Sequence, residues 1–152
     1  MLPRIILISF EQKINEKDLD VIFESDDEVH VIADKDAIHQ VLYNLMHNAI
    51  KFSREKGKLA ISITKIENKK IRVSVYDDGQ AIDKEDLSLI FDRFYKTDKS
   101  RGLDKTGVGL GLYICKTIMD AHDEVIRAES PNENGAEFWF TLKENTQYTR
   151  KI

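Results

Sequence analysis

Asn44 and Asn48 stand four residues apart within an apolar-periodic stretch. That spacing puts both amides on one helical face, where their oxygens can turn toward a metal ion. Gln40 and Lys51 extend the same side. Asparagine competes for backbone hydrogen bonds inside a helix, so something other than helix propensity favours two of them here. A hard ion such as magnesium accepts amide oxygen, with phosphates and water completing its shell. A solvated polar face is the plainer reading of the same residues, and the helix alone does not choose.

The run Gly107-Val108-Gly109-Leu110-Gly111-Leu112 carries three alternating glycines into a helix start. Each glycine costs a helix about 1 kcal/mol relative to alanine. Such a run is therefore expected where backbone must come close to a ligand. Bare N–H groups at a helix N-terminus favour phosphate. The spacing is not that of a dinucleotide fingerprint, and a polar loop precedes it where that motif has a strand. In that loop Arg93, Lys96, Lys99, Arg101 and Lys105 face only Asp92, Asp98 and Asp104. A local excess of cations could neutralise polyphosphate as the loop closes. An ordinary solvated loop fits the charges equally well.

Asp77-Asp78-Gly79 ends a strand. A carboxylate there can accept a hydrogen bond from the exocyclic amine of a base, and Gly79 permits close approach of the ligand. Taken alone, the triplet is commonly a turn. Phe91 and Phe94 flank Asp92-Arg93 and Tyr95 follows, aromatics that anchor a loop root to the core or, for Tyr95, stack on a base.

The histidines, His30, His39, His47 and His122, have no partners at metal-ligand spacing. The single cysteine, Cys115, excludes an internal disulfide. It falls on the stripe Leu112, Cys115, Ile118, Met119 and reads as core filler. Net charge is −4 with cations spread along the chain, which argues against nucleic acid as a partner. No apolar run is long enough to span a bilayer and no leader pattern opens the chain, so a soluble, cytoplasmic domain without direct membrane contact is expected.

The elements that must position these groups follow from periodicity. Residues 4–17 read as a short helix or helix end, and 19–24 with 29–33 as two strands joined by an acidic turn. Asp34 caps a helix whose stripe Ala37, Ile38, Val41, Leu42, Leu45, Ala49, Phe52 ends near Ser53. Leu59, Ile61, Ile63 and Ile71, Val73, Val75 alternate on either side of Asn68-Lys69-Lys70, a hairpin. A short helix capped by Asp83 is predicted over 83–91, a lid over 92–106 and a helix over about 109–121. Strands over about 124–130 and 135–142 follow, joined by Pro-Asn-Glu-Asn-Gly. The expected fold class is α+β, a two-layer sandwich of a mixed, mostly antiparallel sheet with helices on one face. The hydrophobic fraction, 41% of 152 residues, suffices for one core. Residues 1–18 read as the end of a preceding helix or linker, 19–142 as the domain and 143–152 as a loose tail.

The ordered set Asn44–Asn48, Asp77–Gly79, Phe91–Phe94 and Gly107–Leu112 resembles the N, G1, F and G2 boxes of the catalytic, ATP-binding domain of sensor histidine kinases. That domain belongs to the Bergerat-fold group with gyrase, Hsp90 and MutL. The resemblance implies ATP and Mg2+ as cofactors. It implies Asn48 as a metal ligand, with Asn44 its phosphate-side or second metal-side partner, and Lys51 as the basic residue near the phosphates. Asp77 would meet the adenine amino group, with Gly79 and Ile82 beside it. Tyr95 and Lys96 would touch nucleotide at the lid root, and Gly107, Val108, Gly109 and Leu110 would form the phosphate loop. The implied partners are a His-containing dimerisation domain of a homodimeric parent and a response regulator downstream.

The pattern is departed from at three places. Ala81 stands where the G1 box usually has its last glycine, and at positive φ an alanine would cost about 1 kcal/mol or more. His122-Asp123-Glu124 replaces His-Gly-Gly. Lys96 replaces arginine, keeping the charge and losing the planar fork. No His-Glu-x-x-x-Pro phosphoacceptor box occurs in the chain, so the transferred phosphoryl group needs an acceptor from another domain. Related ATPases and anti-sigma serine kinases carry glutamate where this chain has Asn44, and an amide cannot serve as general base. A histidine-kinase catalytic domain is therefore the expected function. A nucleotide-sensing pseudokinase module and, less favoured, an anti-sigma-type serine kinase are the alternatives.

Overall fold

The computed structural model describes residues 2–93, 95, 111–131 and 134–148. Its longest helix, α3 (Lys35–Phe52), begins where Asp34 accepts a hydrogen bond from the Ala37 N–H (3.1 Å) and ends at the extended Ser53. An aspartate at this position satisfies one of the orphan donors of the first turn. Val41, Leu42, Leu45 and Ala49 of the predicted stripe are buried, joined by Met46 and Ile50. The polar side that remains carries Gln40, Asn44, Asn48 and Lys51.

Among the described residues six strands form one sheet: β1 (Asp20–Ser25), β2 (Val31–Ile32), β3 (Lys58–Ile66), β4 (Lys70–Asp77), β5 (Ile126–Glu129) and β6 (Ala136–Glu144). The order is β1-β3-β4-β6-β2, with β5 pairing β6. Only β1 with β3 is parallel. The sheet is thus mixed and mostly antiparallel, as expected, and the predicted hairpin is β3–β4, with Ile61 opposite Val75.

Period-2 alternation buries Leu59, Ile61 and Ile63, Ile71, Val73 and Val75, and Phe138, Phe140 and Leu142 in one core with α3 and α4 (Gly111–Ala121). Cys115 of α4 is fully buried, and burial pushes its thiol up to about 12, the inert filler that the stripe implied.

Several expectations are corrected. Residues 4–17 lie in two helices, α1 (Leu2–Ser9) and α2 (Glu11–Lys17). Ile6 and Phe10 pack into the same core as the sheet. The strands β1 and β2 do not form a hairpin: β1 runs parallel to β3, while β2 pairs with the end of β6. In place of a helix over 83–91 there are successive turns. Asp86 N–H bonds to Asp83 O, Leu87 N–H to Lys84 O and Leu89 N–H to Asp86 O, all i to i−3; Ile90 N–H to Asp86 O is a single α-type closure. At the C-terminal end β6 runs on to Glu144, followed by a 3-10 turn at Thr146–Tyr148, so residues 143–148 are structured where a tail was expected.

Candidate functional site

α3 is the spine of the site. Along its polar side Gln40 Nε2 donates to Asn44 Oδ1 (3.0 Å), the i, i+4 contact that the spacing implied. Asn44 Nδ2 reaches across to the carbonyl oxygen of Gly111 (3.3 Å), joining the amide face to the first residue of α4. Asn48, one turn on, is half-buried, and its side chain has no hydrogen-bond partner among the described residues. Lys51 places its ammonium 5.6 Å from the Phe52 ring centre. Gly107, Val108, Gly109 and Leu110, with Lys96, fall outside the described residues, as does Phe94.

At the other end of α3 lies the Asp-Asp-Gly turn. Asp77 is 3% exposed and accepts from the Gly79 N–H (3.0 Å). Burial raises its carboxyl to about 7, against the opposing pull of that hydrogen bond; Asp78 adds to the rise and Lys17 opposes it. Asp78 faces away from the site: it accepts from Lys58 N–H (2.8 Å) and from Arg54 (3.3 Å), tying the start of β3 to the end of β4.

Gly79 lies flat on the last turn of α3, where a Cβ would fall inside contact distance of the Phe52 carbonyl oxygen. The turn is pinned from the opposite side. Gly135 N–H donates to Gly79 O (2.7 Å), and Ile82 N–H donates to Ser130 Oγ (2.7 Å). Gly135, at φ +101°, itself sits 2.7 Å, measured from an ideal Cβ, from the Asp77 carbonyl oxygen. Ile82 is half-buried against the core. Ala81 does not have positive φ, so the strain considered for it is absent.

Tyr95 packs against the core and its hydroxyl donates to Asp86. Phe91 meets Phe138 edge-to-face, 6.2 Å between centres. Phe91 lies just before the predicted lid and Tyr95 within its first residues. His122 bridges two helix ends: Nδ1–H donates to Ile118 O (2.9 Å) and Nε2 accepts from the Asp34 N–H (3.1 Å). Asp123 takes φ +59°, a conformation that glycine adopts without cost. Glu124 binds Lys70 (2.5 Å) and Thr141 (2.7 Å).

Sequence reasoning missed Lys17, Ser130 and Gly135. The Asn-Gly pair at 134–135 was legible only as a turn, and nothing local marks Lys17. Among the described residues no group of His, Cys, Asp or Glu is arranged to hold a metal ion. A hard cation here would be met by amide oxygen, and the unpartnered Asn48 amide fits that requirement.

A helix-backed mixed sheet carries an amide face along α3 and, at the end of β4 beside the last turn of that helix, a buried carboxylate. The chain belongs to the family of histidine kinase-, DNA gyrase B- and HSP90-like ATPases, whose model matches residues 33–146. Sensor histidine kinase WalK of Bacillus subtilis is 42% identical over 118 residues, 77% of this chain and 19% of its own length. The chain thus spans a minor part of such relatives.

The nucleotide-free catalytic domain of histidine kinase ThkA superposes with a TM-score of 0.81 at 38% identity, covering 93% of this chain and 90% of that one. ThkA in complex with the response regulator protein TrrA gives 0.79 at 35% identity, over 97% and 40%. Full-length ShkA in complex with AMPPNP gives 0.82 at 27% identity, over 94% and 29%. The fold is therefore that of a histidine-kinase catalytic domain, and the α+β class read from the sequence holds.

Proposed function

We propose that this domain binds Mg·ATP and presents the γ-phosphate to a histidine on a separate dimerisation domain of its parent, a homodimeric, two-component sensor kinase acting in the cytoplasm. The observation that carries this reading is the double contact of α3. Asn44 meets Gly111 near the helix middle, and Gly79 rests on Phe52 at its end. Eight residues of helix separate them by about 12 Å at 1.5 Å per residue, a span suited to a nucleotide with its base at Asp77 and its phosphates at the amide face. Full-length ShkA, in complex with AMPPNP, supports a nucleotide along this helix.

Each residue then has a task. The ionised Asp77 accepts from the adenine amino group, and Gly79 and Ile82 line the base. Asn48 and Asn44 hold the metal ion, Asn44 keeping a lone pair after accepting from Gln40. The ion would neutralise charge between phosphates. Lys51, Tyr95, Lys96 and the segment Gly107, Val108, Gly109, Leu110 surround the triphosphate. Asn44, an amide, offers no general base for attack by water, so hydrolysis is slow and the nucleophile is the incoming histidine. The complex of ThkA with the response regulator protein TrrA supports a response regulator as the next acceptor. The normal φ of Ala81 removes one motive for a pseudokinase.

Calorimetric titration with ADP and ATP, with and without magnesium, tests the binding. Expected is metal-dependent heat with negligible turnover. Incubation with labelled ATP and the parent's His-containing domain tests the transfer, and sustained phosphohistidine is the expected product. No nucleotide heat from folded protein overturns the reading.

A further inference from the structure

Lys17, the last residue of α2, lies outside every motif of the nucleotide site. Its ammonium nevertheless donates to the carbonyl oxygens of Ile50 (2.7 Å), Lys51 (3.0 Å) and Ser53 (2.8 Å), with Ser53 Oγ at 3.4 Å. The last carbonyls of a helix have no partner within it, and a lysine there satisfies them and complements the negative dipole end. The carbonyl between these, that of Phe52, is the one on which Gly79 rests. Lys17 therefore grips the α3 terminus on one side while the base-recognition turn packs on the other.

The clamp continues through the backbone. Lys56 N–H donates to Lys17 O (2.7 Å) and Asp20 N–H to Gly57 O (2.8 Å). Gly57 in turn abuts the Asp78 carboxylate, which no Cβ at that position would permit. Burial lowers the Lys17 ammonium, while Asp77 and Glu55 stabilise its charge. The charged groups around this corner are Lys17 on α2, Arg54 and Glu55 in the turn after α3, and Asp77 and Asp78 at the end of β4.

We propose that Lys17 is a positioning residue for base recognition: it fixes the α3 terminus beneath the Asp77–Gly79 turn, making nucleotide affinity depend on how α2 is seated. The inference rests on Asp77 being the adenine acceptor. A displacement of α2 withdraws both the clamp and the charge, so the segment leading into the domain reports on the base pocket.

The test is calorimetric affinity for Mg·ADP across pH 6–9 in wild type, Lys17→Gln, Lys17→Arg and Asp77→Asn, with folding followed by circular dichroism. Lys17→Gln keeps a donor and loses the charge. Its affinity at pH 7 should fall threefold or more, and the pH of half-maximal affinity should move upward. The ratio of affinities with and without magnesium should not change. Lys17→Arg, which keeps charge and donors, should hold the wild-type midpoint. An unchanged midpoint in folded Lys17→Gln, or an equal shift in Lys17→Arg, overturns the proposal. Asp77→Asn separates the two levels: wild-type affinity in that variant sinks the adenine assignment itself, whereas its loss beside an unaffected Lys17→Gln sinks only the role of Lys17.

Discussion

Asn44 Nδ2 and the Gly111 carbonyl oxygen meet at 3.3 Å, so the amide face of α3 and the start of α4, sixty-seven residues apart in the chain, close on one another. Cys115 Sγ lies 3.8 Å from Val41 O, buried where the two helices pack. Packing of the two helices thus holds the Asn44 amide in place.

The metal assignment predicts a clean separation between Asn48 and the fold. Because Asn48 is half-buried with no side-chain partner among the described residues, Asn48→Ala should change stability by no more than about 0.5 kcal/mol. Affinity for ADP should drop at least tenfold in magnesium, about 1.4 kcal/mol, and stay near wild type in EDTA. Paired titrations with a thermal melt check this. A magnesium-independent loss would move Asn48 from metal ligand to structural residue.

Asp77 gives the site a pH dependence with a definite sign. Its carboxyl titrates near 7 because it is buried. Below that pH it is protonated and loses the charge that attracts the adenine amine, so affinity should rise from pH 6 to pH 8 by about tenfold. Asp77→Asn should be weak and flat over the same range. Stability runs the other way. A carboxyl raised from 3.8 to about 7 in the folded chain stabilises it below the unfolded value, and that contribution is lost as pH climbs through 7. The nucleotide-free domain should therefore melt lower at pH 8 than at pH 6 as far as this group governs, and ADP should offset the difference.

Gly79 has no room for a side chain against the end of α3. A methyl group there meets backbone, the Phe52 carbonyl, which cannot rotate away. Gly79→Ala should cost about 1–3 kcal/mol by overpacking, read in urea titrations. The adenine turn would be pushed off α3, so base affinity should fall while the magnesium dependence persists. Ala81→Gly, at an unstrained site, should leave binding unchanged.

Local signals in the sequence carry only part of this structure. α3 was legible end to end because cap, stripe and stop are local signals: Asp34, the Ile38–Ile50 core face and Ser53. The β3–β4 hairpin carried its alternation and its turn. The partners of β1 and β2 were not legible, since a parallel pairing with β3 and a two-residue pairing with the end of β6 leave no trace in nearby residues. The turns at 84–91 looked helical because Leu87, Ile90 and Phe91 have helical spacing. There the Asp86 carboxylate is taken by Tyr95 and the backbone closes i to i−3. Lys17 was invisible for the same reason as β1: its partners are thirty-three residues and more away.

Glu124 should make the sheet acid-sensitive. Burial alone would raise its carboxyl, but hydrogen bonds from Lys70 and Thr141 outweigh that cost, assisted by the charges of Lys70 and Lys143, and leave it below 4.5. A folded value below the unfolded one means stability that is present above the unfolded value and lost as pH falls through the folded one. The tie joins β4, through Lys70, to the approach to β5 and to Thr141 of β6, so its loss loosens three strands together. Glu124→Gln should lower stability at pH 7 and flatten the decline below pH 5, since the variant has no carboxyl left to protonate. Melts between pH 3.5 and 7 for both proteins decide the matter. An equally steep acid decline in Glu124→Gln would place the acid-sensitive group elsewhere. Nucleotide affinity at pH 7 should be unaffected, because this network is built on the far end of β4 from Asp77.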